Sequence, residues 1–106
     1  MPAQAMEGQV AKGYWMFHVS IGDAETYNAY VAQYDVGAFA EHGARFLARG
    51  GRYEAVEGVA RSRHIIIEFD SYEAALACYR SHKYQAASRL RWKSAETDLV
   101  IVEGID

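Results

Sequence analysis

The sequence predicts an α+β sandwich of strand, helix, strand, strand, helix, strand order, and three observations predict it. Two apolar strand cores, Tyr14-Trp15-Met16-Phe17-His18-Val19 and His64-Ile65-Ile66-Ile67-Glu68-Phe69, stand fifty positions apart. Each is followed by a residue suited to cap a helix and then by apolar side chains at three- and four-residue steps, the pattern of an amphipathic helix. A further apolar run, Leu99-Val100-Ile101-Val102, ends the pattern as a last strand. With 106 residues, 51% of them hydrophobic and 24% charged, the composition is that of one globular domain.

The elements follow in order. Residues 1–12 show no clear period, contain the sole proline, and are expected to be a flexible lead-in to a single domain spanning 13–106. The first strand runs from Gly13 to about Ser20, and Asp23 can cap the helix behind it, because its carboxylate accepts the unpaired amide protons of a first turn. Tyr27, Tyr30, Val31, Tyr34 and Ala38 describe one face of that helix, and Gly43 supplies its stop. Ala44–Arg49 reads as the second strand. It ends at Gly50-Gly51, where a bulge or bend is expected, with Arg52–Val56 able to continue it. Glu57–Ser62 is turn-like, so the second and third strands form a hairpin with a long connection. The third strand covers about Arg63–Phe69. Ser71 caps a helix with Tyr72, Ala75, Leu76 and Tyr79 on its inner side, and Ser81 caps a renewed segment through Tyr84, Ala87 and Leu90. Thr97–Glu103 is the last strand.

This order predicts a ferredoxin-like sandwich: a four-stranded antiparallel sheet with two helices on one face. The first and third strands are expected at its centre. If those two run parallel and in step, His18 and Glu68 fall side by side, because side chains alternate with period two.

A one-sheet sandwich normally has one apolar and one wetted face. Here Trp15, Phe17, Val19, Ile65, Ile67 and Phe69 form a wholly apolar set, assigned to the helix side. Tyr14, Met16, His18, His64, Ile66 and Glu68 form a second set that is still largely apolar, and the last strand is apolar on both faces. The second face therefore needs a cover, and a second copy of the chain is the expected one, giving a homodimer joined through its sheets as a barrel.

Charge and composition exclude several function classes. A net charge of -3 argues against a nucleic-acid partner. The local basic cluster Arg89, Arg91 and Lys93 is expected to be a solvated helix end. Cys78, the sole cysteine, cannot form an intrachain disulfide and reads as a packed helix residue. No leader pattern and no run of membrane-spanning length is seen, so a cytoplasmic protein without a membrane partner is expected. His42, His64 and His82 show no metal-binding pattern, and no phosphate-binding glycine loop or nucleophile elbow occurs.

Several strings taken together resemble a known family. Gly13-Tyr14-Trp15, Tyr27 and Tyr30, Arg45-Phe46-Leu47-Ala48-Arg49-Gly50-Gly51, Glu57-Gly58, Ile67-Glu68-Phe69, Ala74-Ala75-Leu76-Ala77-Cys78-Tyr79, Ser81, Tyr84-Gln85-Ala86-Ala87 and Val102-Glu103-Gly104 are similar, in this order, to the domain-of-unknown-function family 1330. The resemblance covers about residues 13 to 105. It implies a small bacterial-type protein of the dimeric α+β barrel fold, similar to the antibiotic-synthesis monooxygenases, and implies no particular reaction. Ala44 and His82 stand where the family commonly has glycine and proline.

Three groups are candidate site residues. His18 could act as a base with Glu68 orienting its ring, or the two could be a buried pair that anchors a dimer. Arg49 beside Gly50-Gly51 could hold a carboxylate or enolate, or pair across a dimer with Glu54 or Glu57. Tyr27, Tyr30, Tyr34 and Tyr79, with Tyr14 on the strand, could line a substrate pocket, or the helical tyrosines could simply pack the core. Two functions remain open from the residues. One is a cofactor-free enzyme carrying out proton transfer or oxygen-dependent oxidation on a small apolar or aromatic molecule. The other is a non-catalytic dimer that binds a small metabolite or has a structural role.

Overall fold

Alternation along the strands decides the layers of this molecule. The computed structural model describes residues 10–105, the side chains of residues 34–36 excepted. Its elements are β1 (Gly13–Ile21), α1 (Ala24–Val36), α2 (Ala38–Glu41), β2 (Arg45–Arg49), β3 (Arg63–Phe69), α3 (Tyr72–Arg80), α4 (His82–Ser94) and β4 (Ala95–Glu103). The strands form one sheet in the order β2-β3-β1-β4, every neighbouring pair antiparallel. Trp15, Phe17 and Val19 of β1 and Ile65, Ile67 and Phe69 of β3 are all buried on the helix side, as the period-two pattern requires.

The predicted order of elements and the helix-side face both hold. The parallel pairing of the first and third strands does not. β1 and β3 run antiparallel, with His18 opposite His64 and Tyr14 opposite Glu68. The reason is connectivity: a hairpin reverses β3 relative to β2, and period-two alternation is the same whichever way a strand points. Residues 52–56 do not extend β2 either. The chain from Gly50 to Ser62 carries no helix or strand, and β2 is short and shifted in register between Phe46 and Ala48. The first helical stretch breaks at Gly37 into α1 and α2, and β4 starts at Ala95, two residues earlier than its pattern suggests. The first nine residues of the expected lead-in lie outside the described residues. Lys12 is tied down, its carbonyl accepting from the Gly104 amide at 2.7 Å.

Local chemistry accounts for the helix ends. The Asp23 carboxylate accepts from the Thr26 amide at 3.3 Å and from its hydroxyl at 2.8 Å. Ser71 accepts from the Ala74 amide at 3.0 Å, and Ser81 accepts from the Tyr84 amide at 3.2 Å while its own hydroxyl donates to the Cys78 carbonyl. Such caps are worth about 1 kcal/mol each. Gly43, at φ 70°, supplies the left-handed residue behind α2 that a side chain would resist.

Trp15 is the hub of the core. It is fully buried, donates its indole N–H to the Ala75 carbonyl at 2.9 Å, and meets the rings of Phe17, Phe39, Phe69, Tyr79 and Tyr84 within 6 Å. Cys78 packs beside this cluster with its thiol pushed up to about 12 by burial, an inert side chain as expected.

The start of β1 passes so close to the start of α3 that it has no room for a side chain. A Cβ on Gly13 would lie 2.7 Å from the Tyr72 Cα and closer still to the Ser71 carbonyl oxygen, both backbone atoms. We therefore expect Gly13→Ala to lower unfolding free energy by about 1–3 kcal/mol in a denaturant titration; an unchanged midpoint would show that the two backbones move apart freely.

Candidate functional site

The open face of the sheet is built in three cross-strand rows. Arg45, Glu68, Tyr14 and Val102 make the first, Ala48, Ile66, Met16 and Val100 the second, and His64, His18 and Asp98 the third. The middle row is apolar, and Met16, Val100 and Val102 are exposed. In the first row the Arg45 Nε donates to Glu68 at 2.9 Å and Tyr14 donates to the other carboxylate oxygen at 3.3 Å. Arg45 also pairs with Asp70 at 3.0 Å. The hydrogen bond from Arg45 holds the Glu68 carboxyl below the usual carboxylate range, with the Tyr14 hydroxyl adding to the effect. Burial and the Glu68 charge push the Tyr14 hydroxyl up. Glu68 is thus a paired carboxylate, held away from His18.

In the third row the two imidazoles meet at their Nδ1 atoms, 2.8 Å apart. One Nδ1 must carry a hydrogen and the other a lone pair, so the two rings share one proton across the contact. The Nε2 of His64 is buried without a hydrogen-bond partner, and the Tyr53 ring lies 4.6 Å from the His64 ring. At the end of the row Arg61 gathers Asp98 at 3.0 Å, Ser20 at 3.2 Å and Glu96 at 3.3 Å. Val59, Ala60 and Arg61 wall a cleft of about 230 Å³ whose other residues are His18, His64 and Asp98. The long β2–β3 connection is what brings Tyr53 and this wall over the sheet.

The helix side holds a second polar group. The Tyr30 and Tyr84 hydroxyls lie 2.5 Å apart, and both rings are buried. Burial pushes Tyr84 up to about 12 and Tyr30 well above the ordinary tyrosine value, so both are neutral at physiological pH. Arg91 lies with them, 4% exposed, its guanidinium 5.5 Å from the Phe17 ring and 5.7 Å from the Tyr30 ring. Such ring contacts contribute about 2 kcal/mol each when desolvated, against a penalty of several kcal/mol for removing a charge from water. Arg91 thus contradicts the expected solvated helix end, although its neighbours Arg89 and Lys93 are exposed as expected.

The structure therefore divides the predicted site residues. His18 joins His64 instead of Glu68. Glu68 joins Tyr14 and Arg45 one end of the sheet away. Arg49 is opposite Ile65, on the helix-facing side, with its guanidinium 4.2 Å over the Phe46 ring, so it does not meet His18. Tyr27 and Tyr30 are buried, their ring centroids 5.4 Å apart, and Tyr79 reaches Tyr84 at 5.7 Å. The Tyr34 side chain lies outside the described residues. Sequence reasoning missed His64 as the partner of His18, and Arg91. A signal for Arg91 existed: Tyr84, Ala87, Ser88, Arg91 and Ser94, all buried, recur at helical spacing. Among the described residues no group of three or more His, Cys, Asp or Glu side chains is gathered to hold a metal, and no helix is long and apolar enough to cross a membrane.

Known proteins add the following. The family model of a domain of unknown function, DUF1330, matches residues 12–105. No curated protein sequence matches the chain. Among solved structures, the chain is similar to the RPA0582 protein of unknown function from Rhodopseudomonas palustris, with a TM-score of 0.73 and 17% identity over 92% of this chain and 85% of that one. It is similar to SnoaB, a cofactor-independent oxygenase from Streptomyces nogalater, with a TM-score of 0.60 and 7% identity over 92% and 96% of the two chains. A dimeric protein of unknown function and ferredoxin-like fold from Bacteroides fragilis matches at a TM-score of 0.54 and 13% identity over 87% and 95%. At these identities the likeness shows the fold.

The Arg45–Glu68 contact generates a prediction with a definite sign. A carboxyl whose native pKa is depressed contributes stability that is present above its unfolded value, about 4.3, and lost as pH falls through its native value. In Arg45→Met, the Glu68 carboxyl followed by NMR should titrate closer to the ordinary range, and the variant should lose less stability than wild type as the solution is acidified below that range. A Glu68 titration unmoved by the substitution would remove Arg45 as the cause.

Proposed function

The chain belongs to the family of domain of unknown function 1330, and from that premise we propose that it is a homodimer, joined through the open sheet face, which binds a small apolar or aromatic molecule against the His18–His64 pair and moves a proton on it. The Nδ1–Nδ1 contact carries this reading: it is a hydrogen-bonded imidazole pair set in an apolar face at the floor of a cleft. With His64 as the acceptor, His18 donates through Nδ1 and presents its Nε2 lone pair as a base. Unlike a carboxylate, a neutral imidazole orients its partner without adding charge. Proton transfer is as far as the pair's chemistry goes, and the oxygenase activity named for SnoaB carries over only as an analogy of fold.

The apolar surface supports the dimer. Half-burying Met16, Ile66, Val100 and Val102 in both copies contributes roughly 8 kcal/mol at about 1 kcal/mol per side chain. That is of the same order as the cost of association. Exposed Tyr53, Val56 and Val59 of the β2–β3 connection offer the extra contact that would tip the balance. The dimeric Bacteroides fragilis protein, similar in fold, supports a homodimer.

Native mass spectrometry tests both halves. Wild type should fly as twice the 11.9 kDa chain and carry a small-molecule adduct, His18→Ala should keep the dimer and lose the adduct, and Val100→Glu should give monomer because a charge cannot be buried unpaired. A monomeric wild type would overturn the assembly. A dimer whose adduct is indifferent to His18 would overturn the site and leave the interface role for the pair.

A further inference from the structure

Four buried side-chain polar atoms among the described residues have no hydrogen-bond partner, and three of them face the same layer: the Nε of Arg63, the Nε of Arg91 and the hydroxyl of Thr97. Arg63 and Thr97 are the two cross-strand neighbours of Val19, whose own side chain points under the helices. Arg91 comes down on this end of the sheet from α4 and lies over Phe17 and Tyr30. Arg63 lies 6.0 Å from the Tyr27 ring, which in turn packs against Tyr30. Two guanidinium groups thus flank one pair of tyrosine rings, and neither has an ion pair among the described residues.

Buried polar atoms are seldom left unpaired in a native fold, so a set of them calls for a partner. Every unpaired group here would donate to or attract an anion: two cations with an open Nε–H and one hydroxyl. The surrounding surface is aromatic. We propose that the layer between the sheet and the α1–α4 pair holds an aromatic carboxylate, its carboxylate taken by Arg91 with Arg63 and Thr97 completing the charge and hydrogen-bond match, and its ring against Phe17, Tyr27 and Tyr30. The Nε edge of arginine is one of the two that bind a carboxylate in bidentate fashion. A cleft of about 570 Å³ is lined by Ser20–Asp23 and by Trp92–Glu96, the residues that directly follow Val19 and Arg91 and directly precede Thr97, and a ligand would enter from it. This site is on the opposite side of the sheet from the histidine pair, so it stands or falls independently of the proposed proton-transfer site.

Benzoate is the probe, with benzyl alcohol as its neutral counterpart, titrated into the full chain by calorimetry and followed at backbone amides by NMR. Benzoate should bind saturably and shift the amides of Arg91 and Thr97, benzyl alcohol should not, and Arg91→Met should weaken benzoate by at least about tenfold, the loss expected when a buried charge partner is removed. His18→Ala should leave benzoate affinity unchanged. If Arg91→Met does not fold, Arg91→Lys, which keeps the charge and lacks the Nε–H, must show the weakening. Failure of benzoate to bind, equal binding of benzyl alcohol, or affinity unmoved by the arginine substitution would each overturn the site and leave the unpaired atoms to ordered water.

Discussion

Strand β1 fixes nearly everything else in this domain, because it lies between β3 and β4 and is paired along most of its length with both. Its register decides which side chains go under the helices. With Trp15 turned inward, donating to Ala75 and surrounded by five aromatic rings, a one-residue slip would turn Trp15, Phe17 and Val19 out and Tyr14, Met16 and His18 in. Losing the burial of one large aromatic costs about 3–5 kcal/mol, comparable with much of a small domain's whole stability. Both polar clusters inherit their positions from that choice. His18 reaches His64 because the register is what it is, and Arg91 finds Phe17 beneath it for the same reason.

The sheet also separates two kinds of polar chemistry. Under the helices the environment is dry and aromatic, so hydroxyls stay protonated and Arg91 keeps its charge through the Tyr84 and Tyr30 hydroxyls and ring contacts rather than a carboxylate. On the open face the charges are paired and partly solvated, and the Glu68 carboxyl is held ionised by Arg45. The two faces of one sheet thus work under opposite electrostatic rules.

How much of this was legible follows from what alternation and helical spacing encode. Both patterns report which way a side chain points relative to its own element, so the helix-side face of β1 and β3, the Ser71 and Ser81 caps and the inward turn of Tyr27 and Tyr30 could all be read. Strand direction is a different quantity. Trp15-x-Phe17-x-Val19 has the same period running either way, and the partner of His18 changes from Glu68 to His64 when the neighbour reverses. The sequence order did contain the answer, since a hairpin between β2 and β3 forces antiparallel pairing of β1 with β3 once β1 and β2 run the same way. Arg91 was obscured by residue type: a guanidinium at a helix end is usually solvated, and only its place on the stripe with Tyr84, Ala87 and Ser88 argues for burial. The course of residues 50–62 follows no period and was open to neither pattern.

The arrangement of the open face has a physical logic when a partner covers it. Burying an ion pair removes two charges from water, at a cost of several kcal/mol per ion that the attraction between them often only matches. A hydrogen bond between two neutral imidazoles removes none. On this face the charges sit at the two ends, Arg45 with Glu68 and Asp70 at one and Arg61 with Asp98 and Glu96 at the other. Between them lies the apolar row of Met16, Ile66 and Val100, with the His18–His64 contact in the row that ends at Asp98. An apolar centre with charge confined to the rim is the anatomy of a surface that can be desolvated. Had His18 paired with Glu68, an ionised carboxylate would lie away from Arg45 and would have to be dehydrated without it each time two sheets met. The antiparallel register places that carboxylate beside Arg45 and Tyr14, one side of the apolar row, and gives His18 a second imidazole on the other side, polar enough to orient a small molecule.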